Sequence, residues 1–127
     1  LRSSNMQICQ LKTNYKLDAE KRAAFMNEIA AKMAELMEKP LPAVMVMLDD
    51  SHMLMNQSED TVFFGEFRYL MSFADDDEKR RWLQLLADTM LEIIQRYTGV
   101  NPYRIYMQFT EMTRESAWKY TPPDTIN

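Results

Sequence analysis

The sequence has one cysteine, one histidine and no long apolar run. Cys9 is the only cysteine, so no disulfide forms within the chain, which fits a reducing compartment. His52 is the only histidine, which excludes His-paired nucleophilic catalysis and a His-rich metal site. No apolar run approaches the roughly 20 residues that a membrane span needs. We therefore predict a soluble protein without membrane insertion.

The charge balance argues against nucleic acid as a partner. The chain carries 19 acidic residues against 15 Lys and Arg, a net charge of -4, and its longest basic run is Lys79-Arg80-Arg81. A nucleic-acid surface needs a basic patch, which this composition does not supply. With 127 residues, 46% of them hydrophobic, the chain is the size of one ordinary domain and can bury roughly two-thirds of its unfolded surface.

Two groups of residues have metal-binding alternatives that we consider weaker. His52 and nearby methionines offer soft ligands for Cu(I), but a chain with 12 methionines brings some of them together through core packing alone. The acidic run at 75–78 lacks the ligand spacing and central glycine of a calcium loop, and it suits the start of a helix. No metal and no cofactor is therefore expected.

The first half of the chain has the pattern of strand, helix and strand. Residues 7–13 form a candidate strand. Asp18 offers a helix N-cap, and Glu28 to Lys32 a supporting ion pair. The apolar stripe of this helix, about five turns long, is Phe25, Ile29, Met33 and Leu36. Pro40 and Pro42 are expected to end the helix. The apolar run 42–48 then predicts a strand that is covered on both faces.

The second half repeats this order. After a polar, turn-rich stretch at 49–60, residues 61–73 have the pattern of a long strand with a bulge at Gly65. The acids at 75–78 suit the N-terminus of a second helix, and Gly99 its C-terminal stop. The buried stripe of that helix is Trp82, Leu86, Met90, Ile93 and Tyr97. Residues 103–110 alternate as the fourth strand, with Pro102 in the place of Pro40.

This order predicts the α/β (α+β) fold class: a duplicated β-α-β unit that forms a four-stranded mixed sheet with two helices on one face. Both helices lie on the same face because each crossover is strongly biased to be right-handed. The other sheet face is left bare. A bare face with apolar and aromatic side chains needs other subunits to cover it, so we predict an oligomer.

Five segments carry a resemblance to a known family: Thr13-Asn14, Lys39-Pro40, Glu66-Phe67-Arg68, the run 101–112 (NPYRIYMQFTEM) and Trp118. In this order and spacing they resemble the macrophage migration inhibitory factor (MIF) branch of the tautomerase superfamily, whose members are trimers of such duplicated units. The resemblance covers nearly the whole chain. It implies the same fold and assembly of the chain with copies of itself into a trimer, or with other protein subunits. It also implies the keto-enol tautomerisation of small aromatic keto acids such as phenylpyruvate.

The resemblance also implies that the residue deciding the chemistry is absent. The family's catalytic residue is an N-terminal proline, whose secondary amine in an apolar pocket takes and returns a proton beside a carbonyl. Counting back from Thr13-Asn14 puts Gln7 at that place, after Met6. The nitrogen of Gln7 is then a peptide amide without basicity, unless cleavage after Met6 frees a primary amine with a pKa of ~8.

Other positions of the family's pocket correspond in part and suggest a vestigial substrate pocket. Lys39 stands where the family's substrate-carboxylate lysine sits, although a lysine in the last turn of a helix also complements the macrodipole. The apolar wall maps to Leu70 or Met71. Tyr106 matches the family's tyrosine and Gln108 replaces an asparagine. These two either line a pocket or meet a neighbouring subunit, and we favour the interface.

The resemblance therefore predicts a MIF-like protein without the catalytic proline, acting as a non-catalytic binding or scaffold subunit in a homotrimer or larger assembly. One alternative is a phenylpyruvate-type tautomerase with a processed N-terminus, and a second, by family analogy alone, is cytokine-like signalling. The predicted organisation is an extension at 1–6, the domain at 7–118 and a tail at 119–127. The acid-free start suits a transit-peptide remnant, a tag or an incomplete chain, so the predicted location is cytoplasmic or organellar (mitochondrion or plastid).

Overall fold

The computed structural model describes residues 6–120 and Pro122, and there the chain forms two strand-helix-strand units. The strands are β1 (Gln7–Thr13), β2 (Val44–Asp50), β3 (Phe63–Tyr69) and β4 (Ile105–Glu111), and the helices are α1 (Ala19–Met37) and α2 (Asp76–Thr98). A 3₁₀ turn precedes the second strand of each unit, at Leu41–Ala43 and Pro102–Arg104. The predicted order of elements is confirmed. The expected transit-peptide remnant lies outside the described residues.

The four strands form one mixed sheet in the order β2-β1-β3-β4. β1 pairs with β2 in parallel, β3 pairs with β4 in parallel, and β1 and β3 meet antiparallel at the centre. Each parallel pair is joined by a crossover helix, and the two helices pack against one face of the sheet, as predicted. The core lies in that layer, where Cys9, Phe25, Phe67 and Met90 are fully buried.

Helix α1 begins and ends through its own capping groups. The Asp18 side chain accepts a hydrogen bond of 2.8 Å from the Lys21 amide, which confirms the predicted N-cap. The helix ends at Glu38, which has a left-handed backbone with φ of 54°, and the Lys39 amide donates back to the carbonyl of Ala34. The prediction that Pro40 and Pro42 end the helix is wrong, since the reversal is complete before either proline.

The ion pairs of α1 also differ from the prediction. Lys32 pairs with Glu35 at 3.1 Å rather than with Glu28. The Glu28 carboxylate instead accepts hydrogen bonds from Arg96 and from the Tyr97 hydroxyl of α2, the latter at 3.1 Å. The Arg96 guanidinium lowers the pKa of Glu28. A contact between the two helices therefore replaces the predicted contact along one helix.

Strand β2 starts two residues later than predicted and lies at the edge of the sheet. The 3₁₀ turn at Leu41–Ala43 takes up the start of the apolar run. The side chain of Met45 is 57% exposed, so the prediction of a strand covered on both faces is not met within one chain. By the matching turns, Leu41 corresponds to Pro102 and Pro40 to Asn101, which corrects the predicted pairing of the prolines.

Strand β3 is shorter than predicted because its partners run out. Tyr69 lies opposite Glu111, the last residue of β4, and Ile8, near the first residue of β1, lies opposite Arg68. The predicted bulge at Gly65 is wrong, since the pairing runs through it unbroken. A Cβ at this position would lie 3.0 Å from Phe67 Cε2 and 3.2 Å from Leu11 Cδ2. Gly65 therefore makes room for the Phe67 ring.

Helix α2 follows the prediction closely. Asp75 caps its N-terminus by accepting a hydrogen bond of 2.8 Å from the Glu78 amide, and Gly99 ends it with φ of 66°. Leu86 and Met90 are fully buried, while Trp82 packs at the edge of the core and donates from Nε1 to the carbonyl of Leu36 at 3.1 Å. The acidic run therefore serves as a helix start.

The loop between β2 and β3 contains a tight turn that one arginine fixes. Asn56 and Gln57 have positive φ angles of 51° and 59° between Met55 and Ser58, which bond to each other. The Arg104 guanidinium donates to four backbone carbonyls at 2.9–3.1 Å, those of Met55, Ser58, Asp60 and Thr61. This turn is thus held by the second 3₁₀ turn of the fold.

The sheet face opposite the helices is more polar than predicted. Arg68 donates to Glu66 at 2.8 Å and to Gln10 at 2.6 Å, and Thr110 donates to Glu66 at 2.9 Å. The Arg68 guanidinium lowers the pKa of Glu66. Beside this network lie apolar and aromatic side chains that share the same face by register, namely Ile8, Met45, Met47, Phe64 and Tyr106. We call these residues together the open sheet face.

Candidate functional site

Gln7, where the resemblance places the family's catalytic proline, is the first residue of β1. It pairs with Val44 of the parallel neighbour, and Met6 precedes it in the chain. The residue is fully buried, and its side-chain Oε1 and Nε2 have no hydrogen-bond partner among the described residues. A carboxamide buried in this way loses its hydrogen bonds to water and gains none in the protein, which costs free energy. The position therefore carries a peptide nitrogen and a buried carboxamide, neither of which is basic.

A cleft lies at the end of the sheet where β1 begins and where β3 and β4 end. Its volume is about 250 Å³, and its walls include Lys39 from the segment after α1, and Leu70 and Met71 from the segment after β3. Three predicted pocket positions thus come together in space. Leu70 and Met71, the two alternatives for the apolar wall of the pocket, both line the cleft. Gln7 is not among the residues that line it.

Lys39 reaches this cleft because of how α1 ends. The left-handed residue Glu38 turns the chain back over the last turn of the helix, and Lys39 follows it. Lys39 is therefore beyond the C-cap rather than in the last turn, where no basic residue is found. This corrects the alternative that Lys39 complements the macrodipole from within the helix.

Tyr106 and Gln108 lie on the open sheet face and not in the cleft. They belong to the edge strand β4, opposite Phe64 and Glu66 respectively. The Tyr106 side chain is 64% exposed, and neither residue lines the cleft. Within one chain the predicted pocket is therefore divided between two surfaces.

The remaining candidate groups have structural roles or none. Cys9 is buried, and burial raises the pKa of its thiol to about 12, so the reactive thiolate is disfavoured. Within residues 6–120 and Pro122, no three His, Cys, Asp or Glu side chains converge as a metal site would require. Across the same residues, no helix combines the length and apolar character needed to cross a bilayer.

Several residues of the cleft could not be predicted from the sequence. Ser72 and the segment 111–114 complete its walls, and Lys79 of α2 pairs with Glu111 at 3.1 Å. This pairing raises the pKa of Lys79. Arg114 is the second cationic wall residue besides Lys39. Arg114 lies three positions after the end of β4. Its place in the cleft follows only when the course of the chain after β4 is known.

Comparison with solved structures identifies the fold. The MIF-like protein of Entamoeba histolytica matches with a TM-score of 0.78 at 17% identity, covering 91% of this chain and 96% of that one. The MIF of Toxoplasma gondii matches with a TM-score of 0.75 at 19% identity, covering 93% and 97%. The MIF homologue of Prochlorococcus marinus matches with a TM-score of 0.69 at 19% identity, covering 90% and 95%.

Comparison at the level of sequence adds nothing to this. Neither a protein-family model nor a curated protein matches the chain. At these identities the structural matches establish the fold alone. The chain has the fold of the macrophage migration inhibitory factors, as its sequence segments predicted.

Proposed function

We propose that this chain, with the fold of the macrophage migration inhibitory factors, is a non-catalytic subunit that acts by association and ligand binding. The observation that carries the proposal is Gln7. Tautomerisation on this fold is expected to need a basic nitrogen at the start of β1, and the chain has there a peptide amide and a buried carboxamide without a partner. Without this base the proton transfer is lost, whereas the cleft, which Gln7 does not line, is still able to hold a ligand.

Association is supported by the open sheet face. Its apolar members Met45 and Tyr106 are 57% and 64% exposed, and they flank a hydrogen-bonded charge network that a matching surface can cover without leaving a charge unpaired. Tyr106 and Gln108, which lie away from the cleft of their own chain, can approach a cleft only in an assembly. A trimer of like chains is therefore the arrangement that we propose.

The mass in solution tests the association. Light scattering at micromolar concentration is expected to give three 15.1 kDa chains. Tyr106→Arg, which adds a cation to the open sheet face, is expected to shift the mass toward one chain. Leu85→Arg is the matched control, because Leu85 is 50% exposed on α2, on the opposite side of the molecule from that face. A wild-type mass of one chain would contradict the trimer.

A second candidate function is tautomerisation by a processed chain. The observation in its favour is that Lys39, Leu70 and Met71 line one cleft, which keeps a cation and an apolar wall for an aromatic keto acid. In this case cleavage after Met6 would free the amine of Gln7. Mass spectrometry of the N-terminus of the native protein distinguishes the two candidates, since only a chain that begins at Gln7 has an amine at this place.

A further inference from the structure

A second cleft lies at the opposite end of the sheet, where β1 and β2 end and α1 begins. Its volume is about 150 Å³. Lys16 and Leu17 line it from the segment after β1, Leu48 and Asp50 from the end of β2, and Arg22 from the start of α1. No residue of its lining also lines the first cleft. The two clefts are therefore separate sites.

The duplicated fold gives an internal comparison for the charges of this second cleft. In each half of the chain, an acid is the last residue of the second strand and a cation is the fourth residue of the helix. In the second half these are Glu111 and Lys79, which pair at 3.1 Å. In the first half they are Asp50 and Arg22, both of which line the second cleft. No ion pair joins Arg22 to Asp50 or to any other carboxylate of residues 6–120.

The other charged residues leave these two groups accessible. Asp50 pairs with Lys16 at 3.4 Å, but the Lys16 side chain is 85% exposed, so this pair contributes little and another cation can replace it. Asp49, which also lines the cleft, pairs at 3.3 Å with Lys12, its neighbour across the sheet. The second cleft therefore has an unpaired cation, Arg22, and a carboxylate, Asp50, with a weakly held partner.

The walls between these charges are apolar and held in place. Leu17 and Leu48 pack against the hydrophobic core. The Tyr15 amide donates to the Thr13 hydroxyl at 3.1 Å, and the Ser51 amide donates to the Thr13 carbonyl at 2.9 Å. These bonds fix the chain where it leaves β1 and β2. The cleft is therefore formed before a ligand enters, which lowers the entropy lost on binding.

We infer that the second cleft binds a small α-amino acid as its zwitterion. The ligand carboxylate accepts hydrogen bonds from the Arg22 guanidinium, whose fork of N–H donors matches its shape. The ligand ammonium takes the place of Lys16 and donates to Asp50. An apolar side chain of the ligand contacts Leu17 and Leu48. The small volume suits a ligand such as leucine. This inference goes beyond the proposed function and does not depend on it.

The test titrates three probes into the full chain and follows its amide NMR signals. The probes are L-leucine and two analogues that each lack one charged group, 4-methylpentanoate and 3-methylbutylamine. Leucine is expected to shift the amides of residues 13–22 and 48–51, which surround the cleft. It is expected to bind about fivefold more tightly than either analogue, because each analogue loses one ion pair to a solvent-accessible residue.

Two variants assign the two charged groups of the ligand. Arg22→Gln is expected to lower the leucine affinity about fivefold and to leave that of 3-methylbutylamine unchanged, because the amine has no carboxylate for Arg22. Asp50→Asn is expected to lower the leucine affinity without lowering that of 4-methylpentanoate. The matched control is Arg81→Gln, which removes an exposed arginine of α2 outside the lining and is expected to change none of the affinities.

Several results would overturn the inference. They are equal affinities of the wild type for the three probes, leucine shifts that map to the first cleft, the absence of a saturable shift with leucine, and a leucine affinity that survives Arg22→Gln. None of them bears on tautomerisation or on the mass in solution, so the inference and the proposed function can fail separately.

Discussion

Replacing Gln7 by methionine is expected to stabilise the protein. Gln7 is fully buried and neither polar atom of its carboxamide has a partner among residues 6–120 and Pro122. Mutational data put the cost of such an unpaired group at about 1–3 kcal/mol. Methionine has a similar volume and flexible geometry, so it removes this cost without a cavity. For a domain of this size the gain corresponds to a rise in melting temperature of about 4 °C per kcal/mol.

The measurement is equilibrium unfolding in urea at one protein concentration, because association also shifts apparent stability. The matched control is Gln95→Met. Gln95 Nε2 donates to the carbonyl of Val100 at 3.3 Å, so this change loses a hydrogen bond and is expected to cost about 0.5–1 kcal/mol. If Gln7→Met is neutral or destabilising while the control behaves as expected, the carboxamide has a partner and the reasoning is refuted.

Three further changes test contacts that lie elsewhere in the fold. Gly65→Ala places a Cβ 3.0 Å from the Phe67 ring and is expected to cost about 1–3 kcal/mol in urea unfolding; an unchanged midpoint would show that the ring moves freely. Arg104→Gln removes donors to four carbonyls and is expected to speed amide exchange across 55–61, whereas the exposed change Arg80→Gln leaves the exchange of that loop as in wild type. The pKa of Glu28 is lowered mainly by Arg96, so its contribution to stability is present above its unfolded pKa of about 4.3 and is lost as pH falls through the lower folded value. Glu28→Gln is expected to flatten that acid limb of the stability profile, and a limb that stays unchanged would speak against the assignment.

Local signals in the sequence were sufficient for the starts of both helices, the end of α2 and the buried stripe of α1. Asp18, Asp75 and Gly99 act within one turn of their own position, so their capping roles follow from residue type and spacing. The spacing of Phe25, Ile29 and Met33 likewise determines a buried stripe without knowledge of what covers it. These elements could be predicted because their physics is contained in neighbouring residues.

The ends of the strands and the ion pairs could not be predicted in this way. The apolar pattern of β3 continues past Tyr69, but the strand stops there since β1 and β4 offer no residue to pair with. Glu28 has a suitable partner four residues away, yet it binds Arg96, 68 residues along the chain. Both outcomes depend on how distant segments are brought together, which a local pattern does not contain.

The candidate site was predictable only where the resemblance supplied the positions. Lys39, Leu70 and Met71, whose positions the resemblance supplied, line one cleft. Tyr106 and Gln108 lie on another surface, and Arg114 was missed because its place depends on the course of the chain after β4. Most of the residues that line this cleft lie in segments beyond the ends of the strands. Such segments have no regular spacing of apolar residues from which the cleft could be predicted.

The central claim is that this chain binds a ligand but does not catalyse tautomerisation. The most direct test is the rate of phenylpyruvate tautomerisation by the native chain. The N-terminus is verified by mass spectrometry in the same sample, and a variant that lacks residues 1–6 and carries Gln7→Pro serves as the comparison with a restored terminal secondary amine. The native chain is expected to give no rate above that of buffer. A native rate that is lost in Lys39→Ala would contradict it.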